Sequence, residues 1–294
     1  MVAGLGFGPT LDMAGPARQS AAMSALRSIP ADFATDEVAA IDARLDAVVR
    51  DERVAMPLAI ESGSRAWGFA SPDSDYDCRF LYLRRRCDYL ALWAPRDVIE
   101  TPLDGLLDVN GWDVAKALRL IVKGNAVVIE WLRSPIAYRG DAAFRDTLDA
   151  FAERIAPRGL IARHYLHLGE RQWARHADGG EMPGKKLFYA LRPAAALRWM
   201  RHHTGRLPPM NFAQLLAESE PPADVAAIVA DLIARKARTR ELGTAPIPPA
   251  IARFITSEYD LAQAADRGPL PDDAARDAAQ AMFLALLDRF GPGD

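Results

Sequence analysis

Apolar residues recur every three or four positions through Val38, Ile41, Leu45, Val48 and Val49, a helical stripe that Thr35 can cap. Pro57 closes that pattern, and LAIESGS then reads as a short strand running into a turn. SRAWGFA predicts the first turns of a helix, SPDSD a turn, and YDCRFLYL an alternating, aromatic-rich strand. DVIETPLDGLLDV follows as a hairpin or two short strands around Pro102 and Gly105. WDVAKALRLIVKGN puts Val114, Leu118 and Ile121 on one helix face. Asn125 can cap the next helix, AVVIEWLR, which Ser134-Pro135 ends.

From residue 140 onward, helical periods succeed one another without a convincing strand, at 141–155, 158–177, 184–203, 211–218, 222–240, 248–266 and 271–290. The expected fold class is therefore α+β, an N-terminal domain of sheet and helices followed by an all-helical C-terminal domain. The expected divisions are a flexible N-terminal extension over 1–35, a sheet-bearing domain over 36–140 and a helical domain over 141–294.

Composition narrows the class. At 294 residues, half of them hydrophobic and 26% charged, the chain has the balance of a globular protein. No apolar run approaches the roughly 20 residues of a membrane span, so no membrane partner is expected. Its two cysteines, Cys78 and Cys87, form no CxxC or CxxH unit, which argues against a disulfide framework or structural zinc and makes a cytoplasmic location the expectation. The net charge of −3 hides an asymmetry: residues 154–206 carry eleven Lys/Arg against three Asp/Glu, and all five histidines. A basic stretch in an otherwise acidic chain suits a polyanion such as a nucleotide polyphosphate or an RNA backbone, or else is a solvated helix face. His164 and His167, three apart on a predicted helix, have a spacing compatible with metal binding but no carboxylate or cysteine partner that stands out, and a structural or surface role is expected. The run Arg84-Arg85-Arg86 is expected in a solvated loop.

The chemistry concentrates in ESGSRAWGFASPDSDYDCRF, residues 61–80. Asp75 and Asp77 lie two apart at the start of a predicted strand, so both carboxylates point to one face and repel unless a cation sits between them. Magnesium suits hard oxygen ligands and leaves positions open for phosphate; a third carboxylate from a neighbouring strand would complete a two-metal site. Gly63, at a strand-to-helix turn, lets backbone N–H groups approach a phosphate closely, and Ser64 adds a hydroxyl. Asp73, Asp75 and Asp77 also mimic the opening of a calcium loop, but Cys78 stands where that loop needs glycine and Arg84 where it needs glutamate.

Gly63-Ser64 followed by Asp75-x-Asp77 resembles the signature of the DNA polymerase β-type nucleotidyltransferase superfamily. GSRAWGFASPDSDYDCRFLY, DVNGWDVAKALRLIVKGNAVVIEWLRSPIAY and GKKLFYALRPAAALRWM, with the later LPPMNF, resemble the bacterial nucleotidyltransferase family linked to RNA repair, over residues 55–220. The resemblance implies a mixed sheet with a helical domain closing the nucleotide cleft. It implies that Gly63 and Ser64 hold the β- and γ-phosphates with Arg65 assisting, and that Asp75 and Asp77 bind two Mg²⁺ ions, for which Mn²⁺ can substitute. The third carboxylate is Asp108, flanked by apolar residues in LLDVN, or Asp113, which opens the following helix. Where the family often has proline after Gly-Asn, this chain has Ala126, a change confined to how the helix starts.

Lys185, Tyr189 and Arg192 share a helix face by their i, i+4, i+7 spacing and are expected to reach the triphosphate or acceptor; Lys186 is not separable from Lys185. Pro193 is expected to kink that helix. The expected function is Mg²⁺-dependent transfer of a nucleoside monophosphate from an NTP such as ATP to an acceptor, which can be an RNA end, a small molecule or a protein. The competing expectation is a non-catalytic nucleotide-binding regulator or antitoxin-like module on the same scaffold.

Overall fold

Ile41, Leu45 and Val48 are the buried stripe of the first helix, α1 (Thr35–Glu52). The computed structural model describes residues 25–174, 176, 180–239, 243–265, 268 and 270–293. The cap of α1 is Ala34, without a side-chain hydrogen bond, and Thr35 is already helical. The helix ends at Arg53, left-handed at φ 54, so Pro57 falls inside strand β1 (Ala55–Glu61). There the pairing slips between Ala55 and Leu58, a place where a proline lacking its N–H is tolerated. Of the expected extension, residues 1–24 lie outside the described residues. Residues 25–34 run beside the sheet, with Leu26 N–H donating to Gly140 and Ser28 pairing with Ala137.

The chain then forms α2 (Gly63–Trp67), β2 (Tyr76–Leu83), α3 (Arg86–Tyr89), β3 (Val98–Glu100), β4 (Leu107–Asp113), α4 (Val114–Val122), α5 (Ala126–Leu132) and β5 (Ala137–Gly140). The sheet order is β3-β4-β2-β1-β5, antiparallel throughout except for β2 beside β4. One face, carrying Ala59, Cys78, Phe80, Tyr82 and Val109, packs under the α1 stripe. The other, carrying Leu58, Ile60, Leu81 and Leu83, packs against α4 and the helical half in one continuous apolar core.

That half comprises α6 (Ala142–Ile155), α7 (Arg158–Trp173), β6 (Glu181–Pro183), α8 (Gly184–His202), α9 (Phe212–Ser219), α10 (Ala223–Lys236), β7 (Thr244–Pro246), α11 (Pro249–Ala264) and α12 (Asp273–Phe290). Two strands therefore interrupt the expected all-helical stretch: β6 and β7 pair antiparallel across more than sixty residues. At three residues each they are too short to show a period. α8 runs on through Pro193, which removes only the hydrogen bond that the Tyr189 carbonyl would accept. α12 returns to the sheet-bearing half, its Phe283 edge-on to Tyr89 at 5.0 Å and its Phe290 edge-on to Phe144 at 5.3 Å.

The arginine run is a solvated segment only in part: Arg84 is buried 3.4 Å from Glu52, whereas Arg85 and Arg86 stay solvent-accessible, paired with Asp88 at 2.9 Å and with Asp288 of α12. Among the described residues no helix is long and apolar enough to cross a membrane.

Candidate active site

Gly63 turns the chain from β1 into α2 at φ +61, where an L side chain is strained. It is also pressed against β2: a Cβ added there would lie 2.0 Å from Asp77 Oδ2. Both demands select glycine. Gly63→Ala is expected to cost about 1–3 kcal/mol of stability and to displace the Asp77 carboxylate. Urea denaturation checks this, and an unchanged midpoint would contradict it. The turn is tied to β2 by Ser62 N–H donating to the Asp77 carbonyl at 2.8 Å and Asp77 N–H donating to Glu61 Oε1 at 2.9 Å. Glu61 is fully buried and its other oxygen meets the Tyr138 hydroxyl at 2.5 Å; burial pushes its carboxyl up to about 8. Ser64 faces the cleft. Arg65 does not: its guanidinium donates to the carbonyls of Ser74 and Asp75 at 2.6 and 3.1 Å and stacks 3.8 Å from the centre of Tyr76. It braces the turn that carries Asp75 rather than reaching for a phosphate.

On β2 the odd-numbered side chains face the helical half. In the parallel register Asp77 stands directly beside Asp108 of β4, bringing two carboxylates from strands about 4.8 Å apart onto the same face. Burial raises the Asp77 pKa most; Asp108 and Asp75 raise it further, while Arg79 and Lys185 hold it down. Asp113 is on the opposite face. Only 3% exposed, it caps α4 by accepting from Ala115 N–H at 2.7 Å and receives the Tyr89 hydroxyl at 2.9 Å. So of the two candidates for a third carboxylate, it is Asp108 that the fold brings to Asp77.

Arg79 completes this arrangement. One of its terminal nitrogens donates to Asp77 Oδ1 at 3.1 Å and to Asp108 Oδ2 at 2.7 Å, and the other to the Asp108 carbonyl at 2.7 Å. Asn110 donates to the remaining Asp108 oxygen at 3.0 Å. The sequence contained the signal, since Asp75, Asp77 and Arg79 follow a period of two. Among the described residues no three His, Cys, Asp or Glu side chains close into a ready metal cage. The donor set nonetheless fits a hard divalent cation: two or three carboxylates, mutually repelling, with a guanidinium now balancing two of them.

A cleft of about 510 Å³ is lined by Ser64, Asp75 and Asp77 from the sheet-bearing half and by Lys185, Lys186, Tyr189 and Lys236 from the helical half; Asp108, beside Asp77 on β4, is not among its lining residues. Tyr189 has its pKa raised by burial and by Asp77 and Asp75, as expected of a ring facing the carboxylates. Trp67 meets Tyr189 edge-on at 5.6 Å. Arg192 departs from the expected basic face. It is 4% exposed, pairs with Glu130 at 2.8 Å, donates to the Met210 carbonyl at 3.1 Å and lies 4.7 Å over the Trp67 ring. The apolar run on either side of it, with Leu191 and Pro193–Leu197 all buried, draws that turn of α8 into the core. Lys236 escaped the motif reading, yet it occupies the apolar stripe of α10 with Val225 and Val229, which was the available sign.

A sequence model of the RlaP family, described as the RNA repair pathway DNA polymerase beta family, matches residues 38–285. "Uncharacterized protein YcgL" of Bacillus subtilis (strain 168) is 39% identical over 203 residues, covering 69% of this chain and 77% of the relative.

Proposed function

We propose, from the premise that the chain belongs to the RNA repair pathway DNA polymerase beta family, that it transfers a nucleoside monophosphate from an NTP to an acceptor hydroxyl at an RNA end. The observation that carries this is the convergence, in one cleft, of Ser64 from the Gly63-Ser64 turn, Asp75, Asp77 and the lysines of α8, with Asp108 beside Asp77 in the strand register.

The first N–H groups of α2 have no intrahelical acceptor and, with the Ser64 hydroxyl, are suited to phosphate oxygens. Lys185 and Lys186 neutralise the polyphosphate from the opposite wall, and Tyr189 offers a ring to the base. Asp75, Asp77 and Asp108 would hold magnesium. When bound, the metal supplies activation of the attacking oxygen and charge neutralisation on the leaving group. Asp108 accepts the hydrogen bond of the acceptor hydroxyl, orients it and takes its proton as the oxygen attacks. The acceptor oxygen then bonds to the α-phosphorus, the bond to the bridging β-oxygen breaks, and its electron pair leaves on pyrophosphate.

One feature favours a second reading. Arg79 balances Asp77 and Asp108 internally, so these acids are tolerated without a metal, as a non-catalytic nucleotide-binding module would require. Incubation with Mg²⁺, each α-³²P-labelled NTP in turn, and RNA with defined ends decides between the two. Label on RNA with stoichiometric pyrophosphate is the expected result. Magnesium-dependent NTP binding with no label on RNA, small molecules or protein would establish the regulatory reading instead.

A further inference from the structure

Lys236 ends α10 on its buried face, and only 7% of its surface is exposed. Its ammonium group lies 4.8 Å from the ring centre of Phe69 and 5.6 Å from that of Phe188, two rings stacked 4.6 Å apart. Those faces attract a cation but cannot accept its hydrogen bonds as a carboxylate would. Among the described residues no acid stands within ion-pair distance of it, whereas the comparably buried Arg192 and Arg84 each hold a glutamate. The charges that act on it are Lys185 of α8, which repels it, and Asp73 of the turn before β2, which attracts it. Lys186 on its own side and Asp75 and Asp77 opposite complete the charged lining.

An ammonium group carried on a buried side chain, with no acid of the described residues within ion-pair distance, beside a second lysine and open to a cleft, is suited to an anion that comes from outside the chain. We infer that Lys236 and Lys185 form a polyphosphate subsite on the helical wall of the cleft, receiving the terminal phosphates of the nucleoside triphosphate and retaining pyrophosphate after transfer. The anion site follows from the geometry; naming its ligand as a triphosphate tail rests on the proposed nucleotidyl transfer.

Titration provides a signature. Burial and Lys185 push Lys236 down to about 8, and Asp73 pulls it back. The folded value lies below that of the unfolded chain, so without ligand this residue lowers stability at neutral pH. That penalty is relieved as pH rises from about 8 into the ordinary lysine range. A bound polyanion favours the charged form. Binding should therefore take up protons near pH 8, and weaken as pH rises from about 7 to about 9.

Calorimetric titration of the full chain in EDTA with inorganic tripolyphosphate, in two buffers of different ionisation enthalpy, tests the inference. Wild type should bind with a buffer-dependent enthalpy. Lys236→Met should weaken binding about ten-fold or more and lose the buffer dependence, while unfolding at the same or a higher temperature because an uncompensated charge is gone. Lys236→Arg should keep the affinity and lose its pH dependence, the guanidinium staying charged throughout. Unchanged tripolyphosphate affinity in Lys236→Met overturns the subsite. So does a loss confined to binding of a short single-stranded RNA, which would assign the lysine to an RNA backbone. Tripolyphosphate binding that depends on Lys236 in a protein that transfers no label leaves the subsite standing and sinks the transferase reading.

Discussion

Asp77→Asn is expected to lower the rate of nucleotidyl transfer by about 10³-fold or more while leaving NTP binding within a few-fold of wild type. Asp77 is the residue on which the site converges: Asp108 stands beside it in register, Oδ2 occupies the space that a Cβ at Gly63 would take, and Arg79 holds Oδ1. Asparagine keeps the size, and its backbone hydrogen bonds to Glu61 and Ser62 are untouched, so the fold should survive. What is lost is a negative oxygen able to hold a cation against developing charge. Phosphate recognition, which depends on the α2 turn and the lysines, is left in place. Asp108→Asn should behave the same way. Asp113→Ala should instead keep transfer and cost about 1 kcal/mol or slightly more of stability through the lost α4 cap. Single-turnover rates with labelled NTP, set beside equilibrium NTP binding and urea denaturation, distinguish the three. Full activity in Asp77→Asn, or abolished transfer in a stably folded Asp113→Ala, would refute the assignment.

Arg192→Met should have its large effect on folding. Arg192 and Glu130, joining α8 to α5, are 4% and 6% exposed, and Tyr165 also donates to Glu130 at 2.9 Å. Removing the guanidinium leaves a buried carboxylate with one donor, at an expected cost of about 3–5 kcal/mol. Replacing Glu130 by Gln in the same chain should recover much of that, because the uncompensated charge goes with it. Guanidinium chloride unfolding of the single and double variants measures the coupling. A single variant within about 1 kcal/mol of wild type would show that the pair is dispensable and return Arg192 to the list of ligand-binding candidates.

Much of the fold was legible because it is local. The ends of α6, α8, α9 and α12 follow the apolar period to within a residue or so, and Asn125 caps α5 by accepting from Val127 N–H at 2.9 Å. Gly63 and the alternation of Asp75 with Asp77 were equally readable, since a turn needing positive φ and a period of two are properties of a few consecutive residues. β6 and β7 were not: each is stabilised by the other and too short to carry its own pattern.

The amino-acid sequence by itself determined the helices, the α+β class, the family resemblance and the acids of one short stretch, because each depends on neighbours along the chain. Tertiary structure alone decided which charges serve the cleft. Arg192 and Lys236 look alike in sequence, basic residues on helices, and their roles separate only when distant partners arrive. Glu130, 62 residues away, neutralises Arg192 inside the core. Lys236 meets the rings of Phe69 and Phe188 instead, is repelled by Lys185 and attracted by Asp73 without an ion pair to it, and lines the cleft. Parallel pairing of β2 with β4 likewise set Asp108 beside Asp77 and turned Asp113 away. The reason is common to all three: the electrostatic fate of a side chain depends on what is packed within a few ångströms of it, and those neighbours come from across the fold.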